Sequence, residues 1–136
     1  MEESKYIRFI RKKEIASIAA GFESDKSTYN EHLFDWQRDI VHWALKKGRA
    51  CLFEDCGLGK TLQQLCFSEE VVKHTGKPVI IVAPLAVASQ TKREGEKFGI
   101  EVNICRTQDD VKDGINITNY EMIQSKIGRA SCRERV

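Results

Sequence analysis

No apolar stretch in the chain approaches the roughly 18 residues that a membrane-spanning helix needs. The opening "MEESKYIRFIRKKE" lacks the apolar core of a secretory signal. Together these absences exclude a membrane-spanning role and make a cytoplasmic setting the expectation. No C-x-x-C pair occurs among the five cysteines (Cys51, Cys56, Cys66, Cys105 and Cys132), and no histidine lies at zinc-ligand spacing. Reduced, partly buried thiols are therefore expected rather than a metal site or a disulfide framework. Neither an internal repeat nor a low-complexity tract is visible.

Strong charge of one sign is also missing. The formal net charge is +2, and three arginines against one glutamate in the last ten residues account for it, so the rest is neutral. Global basicity thus gives no support for nucleic-acid binding, although a local patch could exist. Those ten residues, Ile127 to Val136, read as the translation of a common sequencing-adapter oligonucleotide. The biological sequence is accordingly expected to stop near Lys126, with 127–136 a non-native tail.

What is present fits one small domain. The 136 residues suffice for a single core, and 41% hydrophobic with 31% charged residues describes a globular rather than a disordered chain. Residues 1–32 read as an N-terminal extension: some helical spacing (Ile7, Ile10, Ile15, Ile18), Gly21, then the polar, turn-rich "ESDKSTYNEH". From Leu33 the pattern sharpens into a domain over 33–126. "LFDWQRDIVHWALKKG" places Ile40, Val41, Ala44 and Leu45 on one helical face, with Asp35 as N-cap and Gly48 as C-cap. Gln37 falls on the same stripe, where an amide requires a partner, either within the protein or on a ligand. "RACLF" (49–53) is a strand candidate. "TLQQLCFSEEVVKHTGK" is a helix with Leu62, Leu65, Cys66 and Val72 inward. "PVIIVAP" has the continuous β-branched run of a strand buried on both faces. "ASQTKREGEKFG" reads as an exposed helix, and "EVNIC" and "INITNY" as two further strands. Strands alternating with helices imply an α/β fold with a parallel sheet and flanking helices.

Chemistry concentrates in "CLFEDCGLGKTLQQL" (51–65). A strand, a tight glycine turn and a helix start are the components of an anion site. Gly57 and Gly59 let the backbone turn its N–H groups inward, and the helix start adds partial positive charge. Lys60 can reach the β- and γ-phosphates, and the Thr61 hydroxyl can take a place on Mg²⁺. Glu54 stands where the usual phosphate-loop signature has its first glycine. The Glu54–Asp55 pair brings negative charge beside an anion site. The residues alone leave open how that charge is compensated.

This run resembles the first motif of the Swi/Snf-like branch of superfamily 2 helicases, in which two acidic residues commonly precede the Gly-Leu-Gly-Lys-Thr run. Three further stretches are similar to motifs of that family in the same order: "LFDWQRDIVHWAL", "VIIVAPLAVASQTKREGEKFG" and "INITNYEMI". A closer resemblance, over roughly residues 5–125, is to phage and prophage helicase-like proteins often encoded beside DNA methyltransferases. The resemblance implies a partial RecA-like P-loop domain, truncated before its acidic Asp-Glu motif and its second motor domain. It implies ATP and Mg²⁺ as cofactors, with Lys60 and Thr61 catalytic and Thr61 on the metal. It implies Gln37 at the adenine edge and Asp55, Cys56, Gly57, Leu58, Gly59, Lys60 and Thr61 around the phosphates. It also places Pro84, Leu85, Thr118 and Tyr120 near the nucleic-acid track, with DNA as partner and a methyltransferase as a second one. Thr91 stands where many relatives carry Trp.

Three functions follow as expectations. The parent protein would be an ATP-dependent DNA translocase or helicase. The chain as it stands would bind nucleotide without turnover. A P-loop kinase or GTPase is the third, and no guanine-reading motif supports it. Trp36 and Trp43 are expected to pack, His32, His42 and His74 to be surface or boundary residues, and "KREGEK" to be a solvated helix face.

Overall fold

The computed structural model describes residues 5–13 and 19–125; the tail 127–136, Cys132, and the helical spacing at Ile15 and Ile18 lie outside the described residues. Among the described residues five α-helices and three strands run in the order α1 (Lys5–Lys13), α2 (Asp35–Lys47), α3 (Lys60–Thr75), β1 (Val79–Val82), α4 (Leu85–Lys97), β2 (Val102–Ile104), β3 (Ile115–Thr118) and α5 (Tyr120–Ser125). The sheet is parallel, in the order β1-β3-β2, with Val79 opposite Ile115 and Val82 opposite Thr118. The architecture is α/β.

The core lies between the sheet and α2, α3 and α4. Leu62, Leu65 and Cys66 of α3 meet Val41 and Leu45 of α2 and Ile81, Ile115 and Ile117 of the sheet. On α4, Gly95 is where a side chain would not fit: an added Cβ would stand 2.6 Å from the Ile100 carbonyl oxygen. The helix therefore has one buried face, at Ala88, Thr91 and Gly95, while Lys92, Arg93, Glu96 and Lys97 stay exposed. Burial pushes the Cys66 and Cys105 thiols up, so both stay protonated, whereas Cys51 and Cys56 are exposed free thiols.

The segment ahead of α2 is built into this unit. Backbone N–H groups of Ala20, Gly21 and Phe22 donate to the carbonyls of Lys47, Lys46 and Leu45, satisfying the C-terminal end of α2. Arg38 donates to the carbonyls of Lys26, Asn30 and Leu33, and Tyr29 and Leu33 enter the core. His42 is half-buried and contacts the Tyr29 hydroxyl at 3.3 Å, while His32 and His74 are exposed.

Four expectations need correction. The stretch 49–53 forms no strand. Among the described residues no strand runs beside it to take its backbone hydrogen bonds, and Phe53 is 97% exposed. β1 is an edge strand rather than one buried on both faces, and Ile80 is 39% exposed. The fully buried centre is β3, in which Asn116 accepts from Lys112 N–H and donates to the Lys112 carbonyl, stapling the sheet's entry. The N-cap of α2 is Phe34, not Asp35: Gln37 Oε1 accepts the Phe34 N–H at 2.9 Å, filling the capping role itself. Trp36 and Trp43 do not pack inward; they are 42% and 46% exposed.

Candidate functional site

The loop 54–59 joins α2 to α3 through side chains. Gly57 and Gly59 have φ of +79° and +71°, the left-handed region that glycine enters without cost. At Gly59 there is a second constraint, because an added Cβ would stand 2.5 Å from Gln37 Nε2. That nitrogen donates to the Leu58 carbonyl at 2.8 Å. One buried amide thus fixes both the start of α2 and the turn of the loop.

A glutamine amide offers two N–H groups and two acceptor lone pairs. The protein uses one of each on Gln37. One donor and one acceptor are left, the set that a bidentate contact to an adenine edge requires. Gln37 borders a cleft of about 410 Å³ shared with His32, Phe34, Gly57, Gly59, Lys60, Thr61, Leu62, Glu94 and Phe98. That volume is within the range of small-molecule sites. Lys60 Nζ lies between the Glu54 and Asp55 carbonyls, at 3.1 and 3.0 Å. It keeps its third proton free of those two contacts.

The remaining loop residues divide. Asp55 Oδ1 accepts the Cys56 N–H at 3.0 Å, so that donor is committed within the loop. The Glu54 carboxylate does not enter the 410 Å³ cleft. It lines a second, mostly apolar cleft of about 350 Å³, together with Val41, Leu52 and Phe67. There its Oε2 accepts from Gln63 Nε2 at 2.9 Å. The negative charge that replaces the usual glycine is therefore held by Gln63, in a cleft that Lys60 also borders.

Thr61 is half-buried at the first turn of α3 and borders the same cleft as Lys60. Among the described residues no group of three or more His, Cys, Asp or Glu could hold a metal. A magnesium ion here would thus depend on Thr61 and on ligand phosphate oxygens, the mode in which Mg²⁺ commonly binds.

Pro84 and Leu85 follow β1, Thr118 ends β3, and Tyr120 opens α5. The parallel pairing brings the two segments side by side, with Ala83 N–H donating to the Thr118 carbonyl at 3.0 Å. Leu85 and Tyr120 are exposed, Pro84 is exposed, and Thr118 is buried. Three of the four thus present a surface at the carboxyl edge of the sheet.

Sequence reasoning missed Gln63, His32 and Phe34 as neighbours of the loop. Gln63 could have been found: it lies three residues before Cys66 and seven before Glu70, on one stripe of α3 that is buried throughout. His32 and Phe34 precede α2 and carry no periodic signal.

No protein-family model matches the chain. It is similar to the SWI/SNF-related matrix-associated actin-dependent regulator of chromatin subfamily A-like protein 1 of Xenopus tropicalis, 39% identical over 62 residues. The same protein of Xenopus laevis is 40% identical over 57 residues. Protein CHROMATIN REMODELING 8 of Arabidopsis thaliana is 30% identical over 86 residues. These matches cover 45%, 41% and 60% of the chain but only 6%, 6% and 7% of the relatives. The similarity is partial, and it points to SWI/SNF-related proteins. Among the described residues no helix is long and apolar enough to cross a membrane.

Proposed function

We propose that the chain carries the ATP-binding part of a DNA-dependent ATPase of the helicase or translocase kind, with a RecA-like fold. The observation that carries this reading is the gathering of Gln37, Gly57, Gly59, Lys60 and Thr61 around one cleft. The partial similarity to SWI/SNF-related proteins supports the same class.

In this reading Gln37 reads the adenine edge with the donor and acceptor that Phe34 and Leu58 leave free. Lys60 exchanges its two loop carbonyls for phosphate oxygens. Gly57, Leu58 and Gly59 turn their N–H groups toward the same anion, while Asp55 and Cys56 close the loop's entry. Thr61 would hold Mg²⁺, which supplies charge neutralisation at the phosphates. Leu85 and Tyr120, with Pro84, face DNA.

Hydrolysis requires an oriented water and a cationic finger in addition to this cradle. Among the described residues neither has an assigned group, so binding without turnover is proposed for the chain itself. The test is a titration with a fluorescent ATP analogue beside an assay for released phosphate. Saturable binding without turnover is expected; measurable hydrolysis abolished by Lys60→Ala would contradict the second half of the proposal.

A further inference from the structure

Gln63 is 2% exposed, and its amide nitrogen spends both protons on the phosphate loop. One goes to Glu54 Oε2 at 2.9 Å and the other to the Leu58 carbonyl at 3.0 Å. These acceptors are the loop's side-chain anion and one of its carbonyl dipoles. Both would oppose a phosphate if they turned toward it. Glu54 lies in the apolar cleft with Gln63; Gly57, Gly59 and Thr61 border the other cleft, and Lys60 borders both. Gln63 therefore holds the Glu54 carboxylate in the cleft that Gly57, Gly59 and Thr61 do not border.

We propose that Gln63 is a positioning residue for the phosphate loop, acting by holding the Glu54 carboxylate turned out of the anion site. The proposal rests on the nucleotide-binding reading above. Gln37 cannot substitute for it, because Gln37 reaches Leu58 but its nitrogen has no hydrogen bond to Glu54 among the described residues. Packing alone does not account for the arrangement either. An apolar side chain of similar length would fill the same space without engaging either acceptor.

The experiment compares ATP and adenosine binding to the 136-residue chain by titration calorimetry, for wild type, Gln63→Met and Gln63→Met with Glu54→Gln. Loss of a hydrogen bond to a charged group makes a tenfold effect the expected scale. Gln63→Met should weaken ATP by about tenfold and leave adenosine unchanged. Neutralising the freed carboxylate in the double variant should restore most of the ATP affinity. A merely structural role predicts the opposite: parallel loss of both ligands and no rescue. That result, or unchanged ATP affinity in Gln63→Met, overturns the proposal. The wild-type chain gives an independent reading that requires no variant. With ATP bound, the Gln63 side-chain amide protons should remain protected from solvent exchange, and rapid exchange would overturn the proposal. Wild-type protein that ignores ATP would instead sink the nucleotide-binding reading itself.

Discussion

A methyl group at Gly59 would stand 2.5 Å from Gln37 Nε2, so the loop 54–59 and the first turn of α2 are fitted to one another at this point. Gly59→Ala combines that clash with a positive φ and is expected to cost more than Gly57→Ala, which has only the backbone penalty. Left-handed backbone costs an L-residue on the order of 1–2 kcal/mol. Urea denaturation should order the stabilities as wild type, Gly57→Ala, then Gly59→Ala. Equal losses would mean that Gln37 yields freely.

Gln37→Leu removes both the cap of α2 and a donor to Leu58. A lost cap alone costs about 1 kcal/mol. The variant should lower the denaturation midpoint and narrow any preference for ATP over GTP in competition binding. A lowered midpoint with the base preference intact would limit Gln37 to its structural bonds.

Glu54 Oε1 and Gln63 Oε1 are both buried without a hydrogen bond. Each such acceptor costs about 1–3 kcal/mol. Glu54→Gln keeps an oxygen for Gln63 Nε2 and adds a donor for the second bond. The variant should melt a few degrees higher, the shift that about 1 kcal/mol produces in a small domain. A lower melting temperature would show that the carboxylate charge itself supports the loop.

Much of this was legible in the sequence, and the failures have identifiable causes. The stripe Val41, Ala44 and Leu45 and the helix from Lys60 follow from periodicity, and the strands at 79–82, 102–104 and 115–118 from short apolar, β-branched runs between helices. The loop's glycines and lysine follow from motif spacing. The stretch 49–53 has strand composition, but a strand also needs a neighbour, and neighbours are a property of the whole sheet. The sequence left the place of β3 in the sheet open, and β3 lies at its centre. Only the pairing on both sides reveals a buried asparagine as a bridge between strand entries. How the Glu54 charge is compensated was open in the sequence, since the carboxylate's direction depends on Gln63, nine residues away.

Acid should loosen the chain through its hydrogen-bonded carboxylates. The backbone N–H groups of Arg106 and Thr107 hold the Asp110 carboxyl below its ordinary value, and the Lys46 ammonium does the same for Glu23. Groups depressed in the folded state stabilise above their unfolded values, and that contribution is lost as pH falls through the folded ones. The denaturation midpoint should thus be steady from about pH 7 to 5 and fall below about pH 4. Asp110→Asn should start lower and fall less over the acid range. An acid fall as steep as that of wild type would remove Asp110 from the cause.

The most direct measurement is ATP binding to the 136-residue chain beside its Lys60→Ala variant, followed by fluorescence of an ATP analogue. Lys60 stands between two loop carbonyls and borders the Gln37 cleft, so its ammonium is placed to meet the phosphates. Saturable binding in wild type should weaken at least about tenfold in Lys60→Ala, as loss of a charge-assisted contact requires, with the fold unchanged by circular dichroism. Equal binding by the two proteins would contradict a nucleotide site at this loop.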